Sequence, residues 1–97
     1  MLTHIVVWKY KPEVGEEQRR EHVERLRRLD GLIPEIQSFA VGRDVLELPR
    51  SYHTGLVATF DDRAGLEAYD AHPEHQAVAQ LGRTVSEHVA SVDFEGE

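Results

Sequence analysis

The sequence predicts an α+β fold of the ferredoxin-like kind, βαββαβ, with a four-stranded antiparallel sheet carrying its helices on one face. Three observations predict it. Apolar runs of period two and apolar stripes of helical period follow one another along the chain in that order. Proline, glycine or aspartate separates them. The first run, Thr3-His4-Ile5-Val6-Val7-Trp8-Lys9-Tyr10, is apolar on both faces, so it belongs inside a sheet and not at its edge.

That run stops at Lys11-Pro12, and alternation puts His4, Val6, Trp8 and Tyr10 on one face and Ile5 and Val7 on the other. Glu16 to Arg28 is dense in charge, with Val23, Leu26, Leu29 and Ile33 at helical spacing. Glu21/Arg25 and Glu24/Arg28 stand four apart with the acid first and support a solvent-facing helix by about 0.3 kcal/mol each. His22 falls on this charged stretch and is expected to be exposed. Asp30-Gly31 is expected to end the helix, and Leu32-Ile33-Pro34 to turn the chain. Ile36 to Arg43 reads as the second strand, Asp44 to Arg50 as a loop or edge hairpin, and Tyr52 to Phe60 as the third strand. Gly42 and Gly55 are single strand glycines, read as bulges or points of close approach.

Asp61 or Asp62 then caps a short helix with Leu66 and Tyr69 on its inner side. His72-Pro73 stops it, and Pro73 opens the next helix, whose inner stripe is Val78, Leu81 and Val85. Val89 to Phe94 is the last strand, and Glu95-Gly96-Glu97 is expected to fray. With helices on one face only, the apolar residues of the other face are left open, which marks a partner surface. Two copies laying their sheets together would close it, so a homodimer with a two-fold interface is expected.

At 97 residues the chain is one domain, read here as residues 2–95. A chain this size buries only about two thirds of its unfolded surface, so a core shared with a second copy would help. A net charge of −7 argues against nucleic acid or an anionic membrane as partner. There is no cysteine for disulfides, thiol catalysis or thiolate-bound metal. No apolar run is long enough for a membrane span, and no signal peptide is visible. These features point to a soluble, cytoplasmic protein.

Histidine carries the chemistry. His4 sits on the central strand among apolar neighbours, where burial favours the neutral ring. His75 lies in the first turn of the last helix, whose electropositive end also disfavours imidazolium. Neutral histidines are general-base candidates. His72 precedes proline and is held extended, with a backbone bond as its expected role. A closed zinc site needs three or four convergent ligands, and Pro73 separates His72 from His75, so no metal is expected. No glycine-rich phosphate loop appears, and no cofactor is expected.

The segments His4-Ile-Val-Val-Trp-Lys-Tyr-Lys-Pro12, Gly31-Leu-Ile-Pro34, Val41-Gly42, Thr59-Phe60-Asp61-Asp62, Tyr69-Asp-Ala-His72-Pro73-Glu-His75 and Val92-Asp93-Phe94 resemble the stress-responsive dimeric α/β-barrel (Dabb) family, from about Leu2 to Glu95. The resemblance implies a ferredoxin-like subunit that pairs into a barrel. Some members resemble stress-induced plant proteins; one branch comprises polyketide cyclases that perform a cofactor-free aldol condensation. In that branch the residues matching His4 and His75 are the catalytic pair, and a tyrosine matching Tyr69 lines the site. A further pocket histidine is replaced here by Thr54, and a pocket tyrosine by Leu26. The expectation is a pocket lined by His4, Trp8, Thr54, Tyr69 and His75 for a small apolar or aromatic compound. Its chemistry would be a cyclase or lyase step with His75 as base and His4 as its hydrogen-bonding partner. The alternatives are a non-enzymatic stress-associated assembly protein and a cofactor-free monooxygenase of the same architecture.

Overall fold

The computed structural model describes residues 1–96. The chain runs β1 (Leu2–Tyr10), α1 (Glu16–Leu32), β2 (Ser38–Arg43), β3 (Thr54–Phe60), α2 (Arg63–Ala71), α3 (Pro73–Val85) and β4 (Ser86–Glu95). The strands form one antiparallel sheet in the order β2-β3-β1-β4, the ferredoxin-like arrangement that the sequence predicts.

β1 is hydrogen-bonded on both sides. His4 stands opposite Ala58 of β3 and Asp93 of β4; Trp8 stands opposite Thr54 and Val89. The register slips once, between Lys9 and Tyr10, where β4 gains a residue. Leu2, Trp8, Leu56, Ala58 and Phe60 face the helices and meet Leu26, Leu29 and Ile33 of the first helical segment, Tyr69 of α2 and Val78 of α3. Leu29 and Ile33 are each 1% exposed, and burying such a side chain stabilises the fold by about 1.5–3 kcal/mol.

Local chemistry explains most boundaries. Asp62 caps α2 by accepting from the Gly65 N–H at 3.0 Å. His72 ends α2 and caps α3, its Nδ1 accepting from the Glu74 N–H at 3.1 Å, with Pro73 as the first helical residue. Four expectations are corrected. Gly31 does not end α1: the helix continues through Leu32, and the Ile33 N–H donates to the Leu29 carbonyl. The apolar contacts of Ile33 outweigh the local glycine signal. Gly42 and Gly55 are not bulges but register partners across β2 and β3. β4 begins at Ser86, directly after α3, and it extends through Glu95. Of the expected tail only Glu97 lies outside the described residues, and the Gly96 N–H donates to the Met1 carbonyl at 3.0 Å.

The fourth correction is His22, which is fully buried. Its Nδ1 lies 2.8 Å from the Tyr10 hydroxyl, which also lies 2.8 Å from Thr54 Oγ1. The charged residues around it cover the outer face of α1, but position 22 turns inward beside Val23 and Leu26. Trp8 packs edge-on against its ring, with centroids 5.0 Å apart. Helix α3 reaches this cluster because residue 82 is glycine: a Cβ there would stand 2.9 Å from Trp8 Nε1 and 3.1 Å from His22 Nε2.

The sheet face away from the helices carries Ile5, Val7, Ala40, Gly42, Gly55 and Val57 around a shallow depression of about 590 Å³. Val57, Val92 and Phe94 are 40%, 53% and 48% exposed. Phe39, Val41, Leu56 and Phe60 pack toward the helices instead, so on β2 and β3 the open face is built mainly of small side chains.

Gly82→Ala should destabilise the protein by about 1–3 kcal/mol, because the added methyl must displace two packed rings. Urea unfolding followed by the fluorescence of Trp8, the only tryptophan, measures it.

Candidate functional site

A cavity of about 290 Å³ lies between the sheet and the helices. β1 supplies His4, Val6 and Trp8; α2 supplies Tyr69 and Asp70; α3 supplies His75, Ala79 and Arg83. Leu26 and Leu56 complete the apolar wall, and Val89 and Ser91 of β4 close the remaining side. Four of the five expected pocket residues, His4, Trp8, Tyr69 and His75, are therefore brought together.

Tyr69 stands between the two histidines, its ring centroid 5.8 Å from that of His4 and 4.4 Å from that of His75. It is 2% exposed, and burial, with the Asp70 carboxylate, pushes its hydroxyl above the usual tyrosine range. The phenol stays protonated at neutral pH and is available as a hydrogen-bond donor.

Each histidine has its tautomer set by an oxygen that can only accept. His75 Nδ1–H donates to the carbonyl oxygen of Asp70 at 3.0 Å. That carbonyl lies in the last turn of α2, where helical partners run out, and Gln76 Nε2 donates to it as well. His75 Nε2 is left with its lone pair. Burial lowers the His75 pKa, against the smaller opposing effects of the Asp70 carbonyl and carboxylate; His4 and Arg83 lower it further. His4 Nδ1–H donates to Asp93 Oδ1, the residue opposite it in the β1–β4 register. Here too Nε2 is the unused nitrogen. The expected direct partnership of the two histidines is replaced by a separate oxygen acceptor for each.

Asp93 is the residue that sequence reasoning missed. A signal was present: a strand running back along β1 that aligns Val92 with Ile5 puts Asp93 beside His4. Nothing local singles out Arg83, whose position depends on how α3 crosses the sheet. Thr54 is a correction. Its side chain is 2% exposed and bonded to the Tyr10 hydroxyl, and it does not line this cavity. The Tyr10 hydroxyl, unforeseen as its partner, satisfies it in the core and bonds to His22 as well. His53 lies outside the cavity, accepting from the Tyr10 N–H and stacking on the Tyr10 ring. His88 pairs with Lys9 on the other sheet face. Among the described residues no three histidine, aspartate or glutamate side chains converge as a metal cage, and no helix is long and apolar enough to cross a membrane.

Fold and site together define a ferredoxin-like α+β protein with a histidine-lined cavity between sheet and helices. The family model described as the stress responsive A/B barrel domain (Dabb) matches residues 2–96, and the chain belongs to that family. It is 31% identical over 85 residues to an uncharacterized protein of Streptomyces coelicolor, covering 86% of this chain and 88% of that one. It is 27% identical over 95 residues to the olivetolic acid cyclase of Cannabis sativa, covering 96% and 94%. Among solved structures, a dimeric ferredoxin-like protein of unknown function from Thermobifida fusca superposes with a TM-score of 0.88 at 27% identity, covering 96% of this chain and 88% of that one.

Burial, then the positive charge of Arg25, pushes the His22 pKa down to about 4, against 6.5 in an unfolded chain. Above pH 6.5 the ring is neutral in both states and contributes no pH dependence. Between pH 6.5 and about 4 only the unfolded chain takes up the proton, so stability falls as pH falls through that window, by on the order of 3 kcal/mol. His53 and His75, also lowered by burial, act in the same sense. In urea titrations across this range His22→Phe should flatten the slope, leaving the part owed to the other two.

Proposed function

We propose that this protein is a homodimer whose subunits each hold an apolar pocket for a small aromatic or polyketide-like compound. In that pocket it performs cofactor-independent proton transfer of the cyclase or lyase type. The observation that carries the reading is the paired arrangement of His4 and His75. Both rings line one cavity, both spend Nδ1–H on an oxygen, and both keep Nε2 free. The likeness to a cyclase over nearly the whole chain supports it.

In this reading His75 Nε2 removes a proton from carbon, and the electron pair passes to the neighbouring carbonyl as an enolate. Tyr69, held protonated by burial, donates a hydrogen bond to the enolate oxygen. When the enolate carbon adds to an acceptor carbonyl, the imidazolium gives its proton to the new alkoxide; in the lyase direction the same steps run in reverse, with His75 Nε2 taking the hydroxyl proton as the carbon–carbon bond breaks to the enolate. His4, fixed by Asp93, orients the substrate from the opposite wall, and the carboxylate meets any charge that reaches that ring. The dimer closes the open sheet face, with the small residues around Gly42 and Gly55 giving a second copy room to approach. The dimeric state of the Thermobifida fusca relative supports this.

Proton exchange tests the chemistry without knowledge of the natural substrate. With phenylacetone in deuterated water, wild-type protein should accelerate loss of the α-proton signal in proton NMR. His75→Ala should lower that rate by about 100-fold or more, with little change in melting temperature. Equal rates for the two proteins and a large drop in melting temperature would favour the non-enzymatic reading, in which His75 serves only to satisfy the end of α2. For the assembly, sedimentation should give two subunits for the wild type. Val57→Glu should give one, because an unpaired carboxylate would be buried between the sheets.

A further inference from the structure

Helix α3 presents His75, Ala79 and Arg83 to the cavity. These positions are four residues apart and form one stripe on the helix, rising about 12 Å from His75 to Arg83. Long helical side chains lean toward the N-terminus, so the Arg83 stem lies back over the turn of Ala79. Alanine at 79 leaves the path from guanidinium to imidazole unobstructed by any larger side chain of the stripe.

Arg83 is the only lysine or arginine lining this cavity. Among the described residues no carboxylate lies within ion-pair distance of it, whereas Arg20, Arg43 and Arg63 have such partners. Its one side-chain hydrogen bond among the described residues is to Gln80, whose Oε1 accepts from Nη2 at 2.9 Å. That contact steadies the guanidinium and leaves its other N–H groups free. Asp70, the one carboxylate of the cavity lining among the described residues, is 73% exposed at its side chain. His75 and Arg83 line the same cavity, which places both within reach of one molecule. The protein as a whole carries −7, and the guanidinium at this cavity supplies local positive charge to a surface that is on balance acidic.

We propose that Arg83 makes this cavity selective for a small apolar carboxylic acid, its carboxylate paired with the guanidinium and its body lying over Ala79 against Val6, Trp8 and Leu56. This inference rests on the reading of the cavity as a small-molecule site and adds the ligand's charge and polarity. A planar guanidinium with free parallel N–H groups suits a carboxylate, which it can bind through two hydrogen bonds.

The test uses 3-phenylpropionate and 3-phenylpropionamide, which share a shape and differ in charge. Binding is followed through Trp8, the sole tryptophan and a wall of the cavity, with calorimetry as a second readout. Wild-type protein should bind the acid at least tenfold tighter than the amide. Arg83→Met, which keeps the apolar stem, should bind both alike, with the acid weakened about tenfold and the amide unchanged. Arg83→Lys should restore part of the preference. Equal binding of acid and amide by the wild type would overturn the role of Arg83 while leaving the pocket reading intact. No binding of either compound at millimolar concentration would overturn both. A preference for the acid that persists in Arg83→Met, in protein with an unchanged melting temperature, would place the anion elsewhere and also overturn the proposal.

Discussion

Side-chain alternation along β1, held in place by hydrogen bonding on both edges, is the constraint from which the rest follows. Because β3 and β4 both pair with it, the register of β1 decides what meets what across the sheet. His4 and Trp8 are forced onto the helix side together, four residues apart, with Tyr10 beyond them. Ile5 and Val7 are forced onto the other side. A one-residue slip would exchange the two sets and bury Lys9 where Trp8 now lies. The same register brings Asp93 to His4 and Thr54 toward Tyr10, so the candidate site and the buried polar cluster are both consequences of how one strand is paired.

Two polar groups lie under the helices, and Trp8 stands between them. On one side Tyr10, His22 and Thr54 share two hydrogen bonds of 2.8 Å. On the other, His4, Tyr69 and His75 line the cavity. The first group is nearly closed. Only His22 Nε2 lacks a partner, at a cost of about 1–3 kcal/mol for a buried polar atom. The second is open: its hydrogen bonds orient the rings and leave the outward-facing nitrogens unused. This division is a physical reason to assign chemistry to His4 and His75 and structure to His22, although all three are histidines placed by the same sheet.

The fold was legible because its signals are local and redundant. β1 announces itself by composition, the helices by apolar spacing, and the α2–α3 corner by His72-Pro73. The failures have a common cause. Gly31, Gly42 and Gly55 were read by their intrinsic preferences, but the helix and the strand pairing they belong to continue through them. His22 was read by its charged neighbours in sequence, whereas the angular position of residue 22 on α1 decides its burial. At the site, His4 and His75 were legible from their places on the strand and helix together with the resemblance, Trp8 from its face, and Tyr69 as a pocket residue from the resemblance. Asp93 required the β1–β4 register, and Arg83 required the crossing of α3, neither of which a single sequence prints. Thr54 was misplaced because it was read by the position it matches in relatives. The hydroxyl of Tyr10 and the inward His22 give it a different use here.

That replacement bears on what the cavity can accept. Where the resemblance places a pocket histidine, Thr54 has withdrawn into the core, and where it places a tyrosine, Leu26 adds only apolar wall. The indole of Trp8, backed by His22 and by the close approach of Gly82, seals the cavity on that side. Hydrogen-bonding side chains along His4, Tyr69, His75 and Arg83 therefore face a ligand together with the aliphatic wall of Val6, Leu26 and Leu56. A compound matched to this lining sets its polar groups toward those four side chains and its apolar body against the aliphatic wall. Reversing it in the cavity would set polar groups against aliphatic side chains with no hydrogen-bond partners, at a cost of about 1–3 kcal/mol for each group left unpaired. The loss of two polar residues from the shell thus fixes the orientation of a ligand more firmly than their presence would.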